Sequence, residues 1–354
     1  MDNLVGVILV AGKGSRIFPF STIYPKPLLP VCNVPLLHYQ IALMKSVGIS
    51  RICIVIGYMG YKVVSALGDG RDLGVSITYI EQEERLGIAH AVGKLERYVT
   101  GPFLLILGDI YFVSKDLGAM VSSMLENRSS AVLAVKHEHD PELIKRNFTV
   151  VRNKTGRVVK VIEKPRTIDT NLKGCGIYLF EQSIFDAVRR TPRTAMRDEY
   201  ELTDAIQILI ENGHDIRAEA VVEEDINLTY PEDILKVNLF GLKLRGADRL
   251  VGENVSIHPK AKIIHSIIGD NVTVEHPITI RNSLIMNGTN VLTGKDVDSF
   301  ILTPQFQLDC HKRDGSNEAT GFRRHDPHVQ NHTLPIIQID ETETESHFRN
   351  EVRI

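Results

Sequence analysis

The chain has no tryptophan, and aromatic residues make up only 6% of its 354 positions. Its cores must therefore be built from Val, Ile and Leu. A hydrophobic fraction of 43% beside 24% charged residues is ordinary globular composition and excludes a wholly disordered chain. Long apolar runs are also missing. Val7–Ala11 and Phe103–Leu107 are strand-sized, far below the roughly 18–20 residues that cross a membrane. No basic segment leads into an apolar stretch and cleavage site at the N-terminus, so neither a membrane nor an export route is expected. Cys32, Cys53, Cys175 and Cys310 stand far apart with no C-x-x-C pair. That argues against a zinc site or a disulfide framework and for a reducing, cytoplasmic setting.

One absence is local. No carboxylate occurs between Asp2 and Asp69, a stretch that carries Lys13, Arg16, Lys26, Lys45, Arg51 and Lys62. An acid-free basic segment in a chain of net charge −3 suggests an anion site. Nucleic acid is a poor candidate for that anion, because the basic residues form no run and have no interleaved aromatics.

The length allows two or three domains. Over residues 1–240, apolar runs alternate with amphipathic stretches. Gly6–Val10, Ile52–Gly57, Val75–Ile80, Phe103–Leu107, Ala131–Val135, Val158–Ile162 and Gly176–Phe180 read as strands. Leu36–Val47, Ala89–Leu95, Leu117–Glu126, Gln182–Arg190 and Leu202–Asn212 read as helices. This alternation predicts an α/β sheet, largely parallel, with helices on both faces. Ligands in such sheets bind beyond the carboxyl ends of strands.

Over 241–303 the texture changes. Val251, Ile257 and Ile263 are spaced by six; after a slip, Ile268, Val274, Ile280, Met286 and Leu292 are spaced by six again. Gly, Asn and Asp fill the gaps. A six-residue apolar repeat reads as a parallel β-helix of roughly three coils of about 18 residues, with a small β-meander as the alternative. So few coils bury too little to stand alone, so they need the first domain or a second subunit as a partner; a homo-oligomer is expected. Residues 304–354 form a polar tail with five histidines (His311, His325, His328, His332, His347) and an acidic run from Asp340 to Glu345. The histidine spacings match no metal template, and the tail is expected to be loosely packed. Leu334–Ile339 reads as one added strand.

The first strand runs into Ala11-Gly12-Lys13-Gly14-Ser15-Arg16. Glycines after a strand let backbone N–H groups converge on phosphate oxygens. Two familiar loops are excluded: Gly14 follows Lys13 where a Walker A loop needs Ser or Thr, and Ile17 stands where a dinucleotide fingerprint needs Gly or Ala.

The continuation, Gly12-x-Gly14-Ser15-Arg16-x-x-Pro19 through Pro25-Lys26-Pro27-Leu28-Leu29-Pro30, resembles the signature of the sugar-1-phosphate nucleotidylyltransferases. Further segments resemble that family in order: Gln82 with Leu86-Gly87-Ile88-Ala89-His90-Ala91, Leu107-Gly108-Asp109, Ile162-Glu163-Lys164-Pro165, Gly174-Cys175-Gly176-Ile177-Tyr178, Glu199 with Leu202-Thr203-Asp204-Ala205, and Asn227 with Tyr230-Pro231-Glu232-Asp233. The resemblance implies a Rossmann-like mixed sheet in a catalytic domain, followed by a partial left-handed β-helix. It also implies transfer of a nucleotidyl group from UTP or dTTP to a hexose-1-phosphate, glucose-1-phosphate first, with Mg²⁺. Other readings stay open: a guanylyl- or other-base enzyme of the same family, a catalytically silent nucleotide-sugar-binding regulator, and an added acetyltransferase activity in the coils.

The resemblance also assigns roles. Ala11, Gly12, Lys13 and Gly14 should hold the triphosphate. Arg16 should neutralise it and the leaving pyrophosphate, Lys26 should bridge the reacting phosphates, and Lys164 should hold the sugar phosphate. Gln82 and Gly87 should face the base, where a Gln amide can donate and accept at once and so match the O4/N3–H edge of uracil or thymine. Gly108, Phe148, Thr149, Glu163, Gly176 and Glu199 should face the sugar. Asp109 and Asn227 should be the metal ligands, with a helix N-cap as the structural alternative for Asp109 and Asp225 as an assistant to Asn227. His90 and Tyr178 should pack rather than react. Three positions depart from the family pattern: Asn227 where Asp is common, Phe148-Thr149-Val150 where Tyr-Gly-Val is common, and Ile110 after Asp109 where Asn is common.

Overall fold

The computed structural model describes residues 4–194 and 198–311. Strand β1 (Val5–Leu9) lies in the interior of the sheet. Successive strand residues point to opposite faces, and Val5 and Val7 enter one hydrophobic core while Leu4 and Ile8 enter the other. Both faces are therefore covered, as the near-continuous apolar strands predict.

A small antiparallel hairpin, β2 (Pro30–Val31) and β3 (Val34–Pro35), follows the glycine-rich loop. Then come α1 (Leu36–Ser46), β4 (Arg51–Ile56), α2 (Gly60–Leu67), β5 (Ser76–Glu81), α3 (Ile88–Gly93) and β6 (Phe103–Leu107). β4 and β5 extend the sheet in parallel on one side of β1, and β6 lies parallel on the other. The strand order thus reverses at β1 and β6, and Leu9 pairs with Leu107 at their carboxyl ends. A crevice at such a reversal is where a doubly wound sheet binds ligands.

The rest of the sheet is built about one long strand with antiparallel neighbours, and only its outer strand Ile216–Glu219 runs parallel to the strand beside it. After β7 (Ile110–Ser114), α4 (Gly118–Asn127), β8 (Ala131–His137), α5 (Pro141–Arg146), β9 (Phe148–Arg152) and β10 (Val158–Glu163) comes β11 (Leu172–Phe180). β11 runs antiparallel to β6, β8 and β9, and β10 to β9. Helices α6 (Ser183–Arg190) and α7 (Leu202–Glu211) and strands β12 (Ile216–Glu219) and β13 (Val222–Asn227) follow. β13 leaves the main sheet and pairs only with β7. Helix α8 (Pro231–Leu244) starts with proline at its first position, and Asp233 accepts the backbone N–H groups of Thr229 and Tyr230 at 2.9 and 2.7 Å. It runs through residue 240, so the change of architecture falls after Leu244.

Beyond it, three small sheets are each built from strands stacked in parallel. They are β14 (Arg249–Val251), β17 (Ser266–Ile268), β20 (Leu284–Ile285) and β23 (Phe300–Leu302); β15 (Ser256–Ile257), β18 (Thr273–Val274) and β21 (Asn290–Val291); and β16 (Lys262–Ile264), β19 (Thr279–Arg281) and β22 (Val297–Asp298). An antiparallel strand, β24 (Gln307–Asp309), closes the first sheet at β23. The alternative of a β-meander does not describe these strands, because the sheets pair residues 17 apart in parallel, as Ser256 with Thr273 and Thr273 with Asn290.

The repeat is six, six and five residues rather than six throughout. Ile257, Ile263, Ile268, Val274, Ile280, Ile285, Val291, Val297 and Leu302 line one apolar interior. Leu292, expected inside, is 63% exposed, and Met286 packs into the neighbouring core instead. The short side turns at His265, Asn282 and Ser299, all at positive φ and 17 apart. Ser283 N–H donates to Ser266 Oγ and Phe300 N–H to Ser283 Oγ, each at 3.0 Å, so a serine ladder satisfies this corner. The coils do not stand apart. Ile267, Leu284, Met286 and Ile301 share a core with Ile17, Phe20 and Leu29 from the loop after β1, with Val31 of β2 and Leu36 of α1, and with Leu228, Ile234 and Val237 around α8.

Of the tail, residues 304–311 are described and include β24; Leu334–Ile339, the acidic run and every tail histidine except His311 lie outside the described residues. Among the described residues no helix is long and apolar enough to cross a membrane, and Cys32, Cys53 and Cys175 are buried thiols outside any disulfide.

Candidate active site

A cleft of about 510 Å³ opens at the carboxyl ends of β1 and β6. Its floor is the loop after β1. Gly14 has φ +67°, and a Cβ there would stand 2.9 Å from Lys26 Cε, so the lysine stem lies across bare backbone. Lys26 itself begins a short 3-10 turn between Pro25 and Pro27, which fixes the backbone under a long side chain. Its Nζ lies 3.4 Å from Asp109 Oδ2, with the lysine side chain 11% and the aspartate 46% exposed. Among the described residues, Lys13, Arg16, Lys26 and Arg85 line the cleft against Asp109 and Glu199. A pocket with this imbalance is suited to a polyanion.

Asp109 sits on a turn between β6 and β7 that is clamped from below. Buried Gln40, on α1, donates from Nε2 to the carbonyl oxygens of Leu107 and Ile110, both at 2.9 Å. Two carbonyls can be satisfied only by the NH₂ end, which leaves Gln40 Oε1 buried without a hydrogen bond. Asp109 is therefore no helix N-cap; its backbone carbonyl accepts from Leu228 N–H at 2.9 Å. Asn227 pairs across β13 and β7 with Ile110, which brings it beside Asp109. Its Nδ2 turns toward Asn147 Oδ1 at 3.5 Å, leaving Oδ1 as the ligand-type atom. Asn147 O in turn accepts from Lys164 N–H at 2.8 Å. Lys164 holds φ +44°, an uncommon conformation for a lysine, costing roughly 1–3 kcal/mol. Its Nζ stands 3.9 Å from Glu163 Oε1, and Glu163 Oε2 accepts from Thr203 at 3.4 Å.

The structure thus gathers Ala11, Gly12, Lys13, Gly14, Arg16, Lys26, Gln82, Gly87, Gly108, Asp109 and Glu199 around one cleft. Asn227, Lys164 and Glu163 continue from Asp109 along β13 and β10, and Gly176 packs against Leu107 and Ile110 beneath the same turn. Two expected sugar contacts are not brought there. Phe148 and Thr149 are buried, with Phe148 stacked on Tyr178 at 5.8 Å, because β9 is an interior strand between β10 and β11. Asp225 cannot assist Asn227. Its side chain is 1% exposed and grips Lys173 Nζ at 2.7 and 2.8 Å, with Lys136 at 3.6 Å. Tyr178 packs as expected, and burial raises its phenol well above the ordinary value. Gln82 also differs from expectation, since its NH₂ group faces protein rather than the cleft, at 3.4 Å from Gly87 O. Gly87 has φ +105°, and a Cβ there would meet Tyr200 O at 2.6 Å.

Sequence reasoning missed Gln40, Asn147 and Arg85. Arg85 stands between Gln82 and Gly87 and so was within reach of the motif. The other two act through tertiary contacts that no local spacing reports. Gln40→Met keeps the shape of the side chain but leaves two buried carbonyls without donors, at about 1–3 kcal/mol each. We expect a lower Tm in thermal unfolding, and a kcat reduced about tenfold because the turn that aims Asp109 loosens.

A family model described as nucleotidyl transferase matches residues 5–226. The chain is 34% identical over 281 residues to the low-salt glycan biosynthesis nucleotidyltransferase Agl11 of Haloferax volcanii, covering 78% of this chain and 73% of that one. It is 34% identical over 227 residues to the UTP–glucose-1-phosphate uridylyltransferase AglF of the same organism, covering 64% and 92%. Among solved structures, a Bacillus anthracis protein described as a glucose-1-phosphate thymidylyltransferase, in complex with sucrose, superposes with a TM-score of 0.60 at 28% identity, covering 67% of this chain and 95% of that one.

Proposed function

The chain belongs to the nucleotidyl transferase family, and from that membership we propose that it makes a UDP- or dTDP-sugar from a hexose-1-phosphate, glucose-1-phosphate first, with Mg²⁺ as cofactor. Among its relatives, AglF and the Bacillus anthracis protein are described as acting on glucose-1-phosphate. The observation that carries the reading is the cleft, where Arg16, Lys26 and Asp109 converge at the reversal of strand order. A silent nucleotide-sugar binder would have no use for that constellation.

The reaction joins an oxygen of the sugar phosphate to the α-phosphorus of the triphosphate and releases pyrophosphate. No protein nucleophile is needed, but two polyanions must meet in line. At 4 Å and an effective dielectric near 20, each like-charge pair costs about 4 kcal/mol. Amides of Gly12 and Gly14 and the Arg16 guanidinium receive the triphosphate. Lys26 lies between it and the sugar phosphate held by Lys164. Asp109 and Asn227 Oδ1 form a two-ligand donor set of the sparse oxygen type that suits Mg²⁺, which takes its remaining ligands from phosphates and water. When bound, the metal supplies charge neutralisation for the reacting phosphates.

Cytoplasmic residence is supported by the buried, unbridged thiols of Cys32, Cys53 and Cys175. A left-handed β-helix and a homo-oligomer belong to the same proposal. Val251 and Leu292 are apolar and exposed on the coils, and light scattering reads the oligomeric state. Pyrophosphate release with hexose-1-phosphates and each nucleoside triphosphate tests the activity. Lys26→Met and Lys164→Met should depress kcat more than they raise KM, because the phosphates are closest in the transition state. Lys45 and Arg51, outside the cleft, serve as silent controls. No turnover with any nucleotide and sugar-1-phosphate would refute the reading.

A further inference from the structure

Gln82 follows directly on β5 and is held from behind. Its Nε2 lies 3.0 Å from His90 Nδ1 and 3.4 Å from Gly87 O. A carbonyl only accepts, so the amide end facing Gly87 is the NH₂ group. The same NH₂ then donates to His90, whose Nδ1 must carry the lone pair. A neutral ring with its lone pair on Nδ1 carries its proton on Nε2. Burial, helped by Lys94 and opposed by Glu84, lowers the His90 pKa, which favours the neutral ring. Tyr200 lies nearly parallel to the ring with centroids 6.4 Å apart, and Ala89 N–H is anchored on Tyr200 O at 3.0 Å. Both amide protons of Gln82 are thus committed inside the protein, and only Oε1 is left for the cleft.

We propose that His90 is a positioning residue that locks the Gln82 amide with its acceptor toward the cleft, so that the site selects bases presenting a ring N–H. Uracil and thymine present N3–H and guanine presents N1–H, whereas cytosine N3 and adenine N1 carry lone pairs that face Oε1 unfavourably. The inference rests on the proposed reading of Gln82 as a base contact.

The test is kcat/KM for UTP, dTTP, GTP, CTP and ATP with one hexose-1-phosphate, in wild type and in His90→Leu. The wild type should favour UTP over CTP by about tenfold or more, the scale of a lost hydrogen bond in a buried site. In His90→Leu the amide can turn either way. The UTP/CTP ratio should fall about tenfold, while the UTP/GTP ratio, between two N–H bases, stays within about threefold. A parallel loss for all five nucleotides with both ratios unchanged would make His90 a packing residue and overturn the proposal alone. A wild type indifferent between UTP and CTP would overturn it together with the base-contact reading. Long-range ¹⁵N–¹H spectra of the unmodified protein decide the tautomer even if the variant fails to fold: a neutral ring protonated at Nε2 is expected, and a proton on Nδ1 overturns the lock.

Discussion

Asp109→Asn is expected to lower kcat by roughly 10²–10³-fold, the size of effect seen when a group that stabilises transition-state charge is removed. The substitution is nearly isosteric, and the turn that carries Asp109 is held through backbone atoms by Gln40 and Leu228, so the fold should survive. What is lost is a negative charge at two places. Lys26, 3.4 Å away, loses its anionic neighbour. The metal loses the single carboxylate of the proposed pair, which leaves two amide oxygens and no negative charge among them. Asn227→Asp moves the charge in the opposite direction and should keep or tighten Mg²⁺ binding. Steady-state kinetics against Mg²⁺ concentration, with direct metal titration, separates the two variants. Wild-type turnover and an unchanged Mg²⁺ dependence in Asp109→Asn would move the metal away from this turn.

The glycine-rich half of the cleft was legible because its atoms come from one continuous loop. Glycines, a proline-fixed lysine and an arginine at short spacing have one economical explanation, and the structure places them together. Helices expected at Leu36–Val47, Leu117–Glu126, Gln182–Arg190 and Leu202–Asn212 appear to within one residue at each end, because a buried stripe at helical spacing is a strong local signal. What stayed hidden has tertiary causes. β13 reads Val-Glu-Glu-Asp-Ile-Asn, with little apolar alternation, because it pairs with β7 off the main sheet and Asp225 is neutralised by a lysine from β11. Phe148 was placed at the sugar by analogy with a tyrosine, yet a ring stacked between strands needs no ligand to explain it. The start of α8 is marked in the sequence by Pro231 and Asp233, a proline and a capping carboxylate at helix-start spacing. In the coils the six-residue period was visible, but the five-residue side was not. A hydrophobic count cannot show that one corner is closed by stacked serines and a positive-φ histidine, asparagine and serine.

Removing residues 245–354 is expected to destroy the soluble fold, not merely to change its association. Read from sequence, the coils needed only some surface to dock on; in the structure that surface is the underside of the catalytic loop. Ile267, Leu284, Met286 and Ile301 are buried against Ile17, Phe20, Leu29 and Val31, and Phe306 meets Phe20 edge-on with ring centroids 4.9 Å apart. Asn33, at the tip of the β2–β3 hairpin, donates to Ile268 O at 2.8 Å, so the segment that carries Arg16 and Lys26 is pinned to the coils at both ends. Four buried side chains at about 1.5–3 kcal/mol each contribute roughly 6–12 kcal/mol, an upper figure that matches the whole stability of a typical domain. Truncation should therefore give insoluble or molten protein. The single substitution Ile267→Ala, costing about 2–5 kcal/mol, should lower Tm and weaken turnover while leaving Asp109 and Gln82 in place. Soluble yield, near-ultraviolet circular dichroism and kcat read the outcome. A truncated chain that is soluble, shows native tertiary signals and turns over at the full-length rate would show that the loop holds its shape without the coils.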